Sequence, residues 1–190
     1  DKGHLTRNTA GYAYVIRDYD IKKDYLIRES YYDVSGAPIV NTEGVASKEF
    51  EYDALGFVIR ENYYGIDGKI TENYDGYAHV GRTVDFAGNE TKAQYFDTDG
   101  KPVTQQAGYA VRSRRTDVLG RVLEESYWST DGKPVRCREG YASVTFARDK
   151  NGRVLQETFY DKAGNAAILS GGYTSVRKEY DARGYEVLTS

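Results

Sequence analysis

Few side chains in this sequence could catalyse a reaction or bind a transition metal. The chain has one cysteine, Cys137, and two histidines, His4 and His79, which lie far apart in the sequence. A nucleophile needs a nearby base that activates it, and a zinc site needs several clustered Cys, His or carboxylate ligands. We therefore expect no enzymatic activity, no metal and no cofactor, and we interpret Cys137 as an ordinary strand residue.

The acidic residues recur at fixed spacings, which favours structural roles for them. Sequences such as DTDG at 97–100 carry the oxygen ligands that calcium prefers, but they lack the further ligands and the closing Glu of a helix-loop-helix calcium site. A second set of carboxylates recurs on one predicted strand, at Glu29, Glu61, Glu125 and Glu157. Catalysis needs one site with shifted pKa values, whereas these groups occupy equivalent positions. We expect them to pair with Arg or Lys across the strands.

Aromatic residues carry the remaining chemistry. Two adjacent rings recur, as Tyr31-Tyr32, Tyr63-Tyr64, Tyr95-Phe96, Tyr127-Trp128 and Phe159-Tyr160. Neighbours on a strand point to opposite faces, so one ring of each pair should be buried. The positions that alternate with the second ring are the more polar. We therefore predict core positions at Tyr31, Tyr63, Tyr95, Tyr127 and Phe159, and a partly exposed aromatic row at Tyr32, Tyr64, Phe96, Trp128 and Tyr160.

Two interpretations of the aromatic row remain open. Flat rings separated by polar side chains suit a polysaccharide, because sugar C–H faces stack on aromatic faces while the hydroxyls bond to Asn, Gln and Arg. Alternatively, the rings are cross-strand packing pairs, which stabilise a sheet by about 0.2–1 kcal/mol each.

These residues recur because the chain is a tandem repeat. A GYA-like triplet begins at Gly11, Gly44, Gly76, Gly108, Gly140 and Gly172, so that four of the five intervals are 32 residues and the first is 33. A fixed period of this length is typical of repeat architectures. We treat residues 1–190 as a single repeat domain, with a partial unit at each end. The partial units suggest a piece of a longer array.

Each repeat contains two predicted turns. An aspartate follows each opening glycine by nine residues, and a glycine follows that aspartate by three in five of six copies, as in Asp53 and Gly56. This spacing favours a type I turn, which we call the first turn. A similar second turn follows twelve residues later, as at Asp97 and Gly100. The run of about eight residues between the two turns is rich in β-branched and aromatic residues.

The prolines mark one further position of the repeat. Pro38, Pro102 and Pro134 all lie just past the second turn, where we expect a strand to begin. The sequence thus predicts an all-β fold of tandem 32-residue repeats, built from antiparallel β-hairpins, which form either an elongated solenoid or a continuous twisted sheet. The unpaired strands at the two ends favour end-to-end self-association.

Composition limits the partners. The net charge is −3, with 26 basic and 29 acidic residues, so we expect no nucleic-acid partner, which would usually call for a strong basic excess. No apolar run approaches the roughly 20 residues that span a bilayer, and we expect no membrane span.

Several segments resemble the YD (RHS) repeats of secreted bacterial toxins and animal teneurins. They are EYDALGFVIRE at 51–61, TDVLGRVLEE at 116–125, RDKNGRVLQE at 148–157 and EYDARGYEV at 179–187. The full Tyr-Asp-x-x-Gly pattern occurs at Tyr52 and at Tyr180. The resemblance implies a β-rich spiral that encapsulates or binds and does not catalyse.

A second, weaker resemblance is to the choline- and glucan-binding repeats of bacterial surface proteins. It is carried by YFDTDGKPV at 95–103 and YWSTDGKPV at 127–135. It implies hairpin repeats that bind cell-wall sugars or choline with aromatic side chains. We therefore predict a non-enzymatic module of a bacterial extracellular or cell-surface protein that binds cell-wall or host glycans through the aromatic row. The alternative is a structural spacer or shell of the YD-repeat type, which has protein partners and no small ligand.

Overall fold

The computed structural model describes residues 6–189, and every regular element in this range is a β-strand. The strands are β1 (Tyr14–Asp20), β2 (Tyr25–Tyr32), β3 (Ser47–Tyr52), β4 (Val58–Tyr64), β5 (His79–Val84), β6 (Glu90–Phe96), β7 (Val111–Thr116), β8 (Val122–Trp128), β9 (Ser143–Arg148), β10 (Val154–Tyr160), β11 (Ser175–Tyr180) and β12 (Glu186–Thr189). The predicted all-β fold class is confirmed.

The strands belong to two compact units. Unit 1 contains the described residues up to Thr83 together with Gln94–Gln105, and unit 2 contains Val84–Ala93 together with the described residues from Gln106 onward. In unit 1, β1 to β5 follow one another in sequence order, each antiparallel to the next. In unit 2, β7 to β12 do the same. The antiparallel hairpin repeat is confirmed, whereas a single domain over residues 1–190 stays a prediction.

The first turn closes each hairpin as the Asp-x-x-Gly spacing predicts. Asp53 Oδ1 accepts hydrogen bonds from the amides of Leu55 and Phe57, each at 2.9 Å, and the amide of Gly56 bonds to the Asp53 carbonyl. The first hairpin has an extra residue and no glycine at this place. There Asp24 adopts the left-handed conformation, with φ of 57°, because Asp tolerates this region better than most side chains.

A third turn, which the sequence analysis missed, ends each repeat at the opening glycine of the next. In the turn from Asn41 to Gly44, the Asn41 Oδ1 accepts hydrogen bonds from the amides of Glu43 and Val45. The equivalent position in unit 2 is Cys137, which is buried and bonds through its backbone to Tyr141 and Gly140. Our interpretation of Cys137 as a strand residue was therefore wrong.

The third turns also join neighbouring repeats. The amide of Thr42 bonds to the carbonyl of Ala10 in unit 1, and the amide of Arg138 bonds to the carbonyl of Ala107 in unit 2. The chain between second and third turns makes less sheet than expected. Instead of beginning a strand, the three prolines form single bridges, Pro38 with Tyr32, Pro102 with Phe96 and Pro134 with Trp128. Ile70 and Ala166 occupy the same repeat position and form the same single bridge, so the ladder ends there with or without a proline.

The core lies on one face of each sheet and is built from rings of two origins. One set is the predicted core set on the return strands, all of them buried: Tyr31, Tyr63, Tyr95, Tyr127 and Phe159. The other set comes from the GYA triplets after the third turns. In unit 2 the ring centroids of Tyr109, Tyr127, Tyr141, Phe159 and Tyr173 follow one another at 4.5, 5.8, 4.8 and 6.2 Å. We call this alternating series the ring ladder.

Unit 1 has a shorter ring ladder, in which Tyr77 lies between Tyr63 and Tyr95 at centroid distances of 5.6 and 4.7 Å. The triplet of the preceding repeat carries Val45 instead of tyrosine, and that valine is fully buried. Tyr63 and Tyr127 thus each contact the triplet tyrosine of the next repeat, Tyr77 and Tyr141 respectively, so the core of one repeat is completed by its neighbour.

Candidate functional site

The aromatic row lies where the alternation predicts, on the face opposite the ring ladder. All five of its side chains are half-buried, in contrast to the buried rings beside them in the sequence. Their strands keep one face for the core because the pleat sends successive side chains to opposite sides. The predicted division of each aromatic pair between core and wetter face is confirmed.

Several rings of the row already have partners within the protein. Tyr32 stacks on Tyr14 with centroids 5.3 Å apart and an angle of 13° between the ring planes. The guanidinium of Arg28 lies 5.6 Å from the centre of the Tyr64 ring, and that of Arg60 lies 6.0 Å from the centre of the Phe96 ring. A ring face that contacts an arginine or another ring is less available for a sugar.

Trp128 borders a small cleft in unit 2. Ser126, Pro134, Ser143 and Lys162 are among the residues that line this cleft of about 140 Å³. The indole Nε1 of Trp128 is buried and has no hydrogen-bond partner among the described residues.

A matching cleft of about 90 Å³ lies beside Tyr32 in unit 1, lined by Ser30, Pro38, Ser47 and Ile66 among others. These residues occupy the same repeat positions, because each stands 96 places before its counterpart. The repeat therefore builds the same cleft more than once. Both volumes are below the roughly 300 Å³ at which pockets begin to enclose a drug-sized ligand.

The recurring glutamates pair with basic residues across the strands, as we expected. Arg17 bonds to Glu29 at 2.7 Å, and Arg114 bonds to Glu125 at 2.7 Å. Each of these glutamates also accepts a hydrogen bond from the core tyrosine two residues later, for example Tyr127 Oη to Glu125 Oε1 at 2.5 Å. Burial, followed by the nearby Glu125 carboxylate, raises the pKa of Tyr127 well above its usual value. The carboxylates are thus part of the packing.

A polar network covers the β2–β4 part of the wetter face. Arg28 donates to Glu49 at 3.1 Å and to Ser47 Oγ at 3.1 Å, while Tyr64 Oη donates to Glu49 at 2.5 Å. Asn62, which is buried, donates to Glu51 at 3.1 Å.

Two more side chains extend this network. Asn62 Oδ1 lies 2.7 Å from His79 Nδ1 and also accepts from Arg60 Nε at 2.9 Å. Because the amide oxygen can only accept, Nδ1 of His79 carries a proton. Burial and the charge of Arg60 lower the pKa of His79, which favours the neutral ring. The second histidine of the sequence, His4, lies outside the described residues.

The tyrosine of the Tyr-Asp pair has a role that sequence reasoning missed. Tyr52 Oη donates to the carbonyl of Leu26 at 2.7 Å, and Tyr180 Oη donates to the carbonyl of Val154 at 3.0 Å, each 26 residues earlier. At the equivalent position Arg148 donates to the Val122 carbonyl at 2.8 and 3.0 Å. The signal was present in the sequence, because a tyrosine next to the turn aspartate has no task within its own turn.

Other candidate chemistry is weak. Burial raises the pKa of the Cys137 thiol to about 11, so the reactive thiolate is scarce at neutral pH. Within residues 6–189, no three His, Cys, Asp or Glu side chains are grouped so as to hold a metal ion. Over the same residues, no helix is long and apolar enough to cross a membrane.

Comparison with known proteins identifies no family. No protein-family profile matches the sequence, and no curated protein is significantly similar to it. Solved structures that match include the Tc holotoxin pore of Photorhabdus luminescens with a variant of TccC3, at 12% identity and a TM-score of 0.37 over 92% of this chain. Another is TcdB2-TccC3 without its hypervariable C-terminal region, at 13% identity and a TM-score of 0.36 over 91% of this chain. The chain spans about a tenth of the length of either, 10% and 11% respectively.

Proposed function

We propose that this chain is a structural repeat module of a secreted or cell-surface bacterial protein, which acts as a spacer or as part of a shell and has no catalytic activity. The observation that supports this role most directly is the ring ladder, because its side chains are used to join each repeat to the next. In such proteins, stability is a sum over repeats and the interfaces between neighbours. Other parts of the parent protein, or further copies of the chain meeting end to end, are the expected partners.

Deletion of one repeat tests this role. Removing residues 108–139 joins Ala107 to Gly140 and keeps every position of the repeat in register. We expect the variant to fold, with the strand signature in circular dichroism and a lower urea midpoint, because the remaining repeats can re-form equivalent contacts. Removing 108–123 alone is the matched control, which breaks the register and should abolish folding. A 108–139 deletion that is unfolded would contradict the proposal.

Glycan binding through the aromatic row is the second candidate function. It is favoured by the matching clefts beside Tyr32 and Trp128, where a ring, a proline and two serine hydroxyls meet. Because the clefts are shallow, a sugar would stack at the surface and would not be enclosed. Trp128 is the better candidate than Tyr32 for stacking on a sugar, because the Tyr32 ring is already stacked on Tyr14.

A glycan array and a pulldown with bacterial cell walls, each with and without Trp128→Ala and Phe96→Ala combined, test this candidate. We expect the double variant to lose any row-dependent binding while it keeps its circular dichroism spectrum. Retention of full binding by a folded double variant would exclude the aromatic row as the binding surface.

A further inference from the structure

A third cleft lies within unit 1, and none of its lining residues belongs to the aromatic row. Its volume is about 410 Å³, and it is lined by Asp18, Ile27, Arg28, Glu49, Phe50, Glu51 and Asn62. We call it the β2–β4 cleft. Its volume lies within the range of about 300–1,000 Å³ that is typical of small-ligand sites.

One polar residue of the cleft, Glu49, breaks the repeat. At the positions equivalent to Glu49 the chain carries Gly81, Ser113, Thr145 and Arg177. The position of Asn62 is polar in every copy, as Ser30, Gln94, Ser126 and Thr158. Asp18 and Glu51 occupy one repeat position, whose other counterparts are Thr83, Arg115, Ala147 and Glu179. Residues that build the fold recur in register, as the ring ladder and the turn aspartates do. No other copy brings three carboxylates to the positions of Asp18, Glu49 and Glu51, so this combination is not explained by the repeat.

The cleft is held in one arrangement by its own hydrogen bonds. Arg28 is fixed by Glu49 and Ser47, and Asn62 at the floor is fixed by Glu51 and His79. Fixed donors and acceptors lose little conformational entropy when a ligand binds. Glu51 nevertheless remains largely open to solvent, with a side chain that is 56% exposed.

The charge of the cleft selects among ligand classes. Three carboxylates, of Asp18, Glu49 and Glu51, line the cleft. Glu49 pairs with Arg28 at 3.1 Å, and Glu51 pairs with Arg60 at 3.7 Å. The carboxylate excess disfavours phosphates and other anions. A basic peptide would compete with Arg28 and Arg60 for the carboxylates of Glu49 and Glu51, with which these arginines already pair. Carboxylate and amide oxygens can instead accept hydrogen bonds from the hydroxyl groups of a sugar, and amide and guanidinium groups can donate hydrogen bonds to them.

We infer that the β2–β4 cleft binds a neutral oligosaccharide, with Glu51 and Asp18 accepting hydrogen bonds from its hydroxyl groups. None of its lining residues belongs to the aromatic row or to the ring ladder, although Arg28 and Glu49 both contact Tyr64 of the row. The site is therefore independent of the structural role.

Calorimetric titration of the whole chain tests the site, with cellohexaose, chitohexaose and maltohexaose as neutral probes and hexalysine as the cationic one. We expect saturable binding of at least one neutral probe, and a loss of about tenfold or more in affinity when Asp18→Asn and Glu51→Gln are combined, since each removes a charged acceptor. The matched control is Glu179→Gln, at the position equivalent to Glu51 in unit 2, which should leave the affinity unchanged. Trp128→Ala should leave it unchanged as well, which separates this site from the row.

Three results would overturn the inference. They are no binding of any neutral probe up to about 5 mM, binding of hexalysine only, and unchanged affinity in the folded double variant. None of them would affect the structural role, which is measured by the folding of the repeat deletion.

Discussion

Tyr127 and Trp128 are neighbours in the sequence but belong to different environments. Tyr127 is 6% exposed and lies in the ring ladder between Tyr109 and Tyr141. Trp128 is half-buried on the wetter face, beside a cleft, and its indole N–H has no partner in the described part of the chain. One residue of separation along a strand thus decides whether a ring joins the repeats or faces a possible ligand.

The comparison extends along the whole strand. On the core face, Glu125 bonds to both Arg114 and Tyr127, and its side chain is mostly buried. On the wetter face, Glu124 pairs at 3.3 Å with Arg115, whose side chain is 61% exposed. Interactions on the core face are therefore expected to control stability, while those on the wetter face are free to vary or to serve binding.

Truncation of the two rings should show the largest difference. We expect Tyr127→Ala to lower the free energy of unfolding by about 3–5 kcal/mol, because it removes a buried ring that contacts Tyr109 of its own repeat and Tyr141 of the next. Trp128→Ala should cost about 1–2 kcal/mol, since only part of its ring is buried. Urea unfolding followed by circular dichroism measures both. Equal losses of unfolding free energy for the two variants would contradict the expectation that the core face contributes more to stability than the wetter face.

Neutralisation of the two glutamates should give a smaller difference. Glu125→Gln should lower the free energy of unfolding by about 1–3 kcal/mol, because it leaves Arg114 and Tyr127 with a weaker acceptor in a largely buried place. Glu124→Gln should change it by less than about 1 kcal/mol, since its ion pair is exposed to water. A larger loss for Glu124→Gln than for Glu125→Gln would show that the wetter face also holds the repeats together.

Alkaline titration should show the smallest difference, at Tyr63 and Tyr64. Burial and then the Glu61 charge raise the pKa of Tyr63 far above 10.0, whereas burial and then the hydrogen bond to Glu49 raise that of Tyr64 to about 12. Because both pKa values are higher in the folded chain than in the unfolded one, the two protonated tyrosines stabilise the folded chain fully below pH 10. This stabilisation falls as the pH rises above 10, since the unfolded chain releases these protons first.

NMR of labelled tyrosine Cζ carbons measures the two groups separately, with Tyr63→Phe and Tyr64→Phe for assignment. Tyr64 should lose its proton in the folded chain near pH 12, and Tyr63 should lose its proton only when the chain unfolds. Ionisation of Tyr63 before that of Tyr64 would contradict the assignment of the two faces.

Much of the fold could be predicted from the sequence because repetition removes ambiguity. One Asp-x-x-Gly spacing could be accidental, but its recurrence in five of the six copies, as at Asp53 to Gly56 and at Asp117 to Gly120, marks a repeated hairpin. The third turn was missed because its first residue is Asn8, Asn41 and Asn73 in three copies but Gln105, Cys137 and Leu169 in the others, so no one side-chain type recurs in every copy. What recurs is the backbone conformation, with positive φ at the glycine that follows.

The candidate sites were predicted less completely than the fold. The aromatic row was found because its rings recur in register, and its half-burial follows from strand alternation. The β2–β4 cleft was missed because its residues lie on four strands and because Glu49 has no acidic counterpart in the other repeats. The long-range bond from Tyr52 to the Leu26 carbonyl was missed for a related reason, since the sequence shows the tyrosine beside the turn aspartate but does not show which backbone carbonyl it reaches.

By itself the sequence determined the repeat length, the hairpins and the division of each aromatic pair between two faces. These follow from local rules, since turn residues set the bends and the two-residue period of a strand sets the faces. Only the tertiary structure decided which rings from different repeats meet, which ring faces Arg28 and Arg60 already cover, and where a cleft opens between strands. Those features depend on the register between residues distant in sequence, which no single repeat encodes.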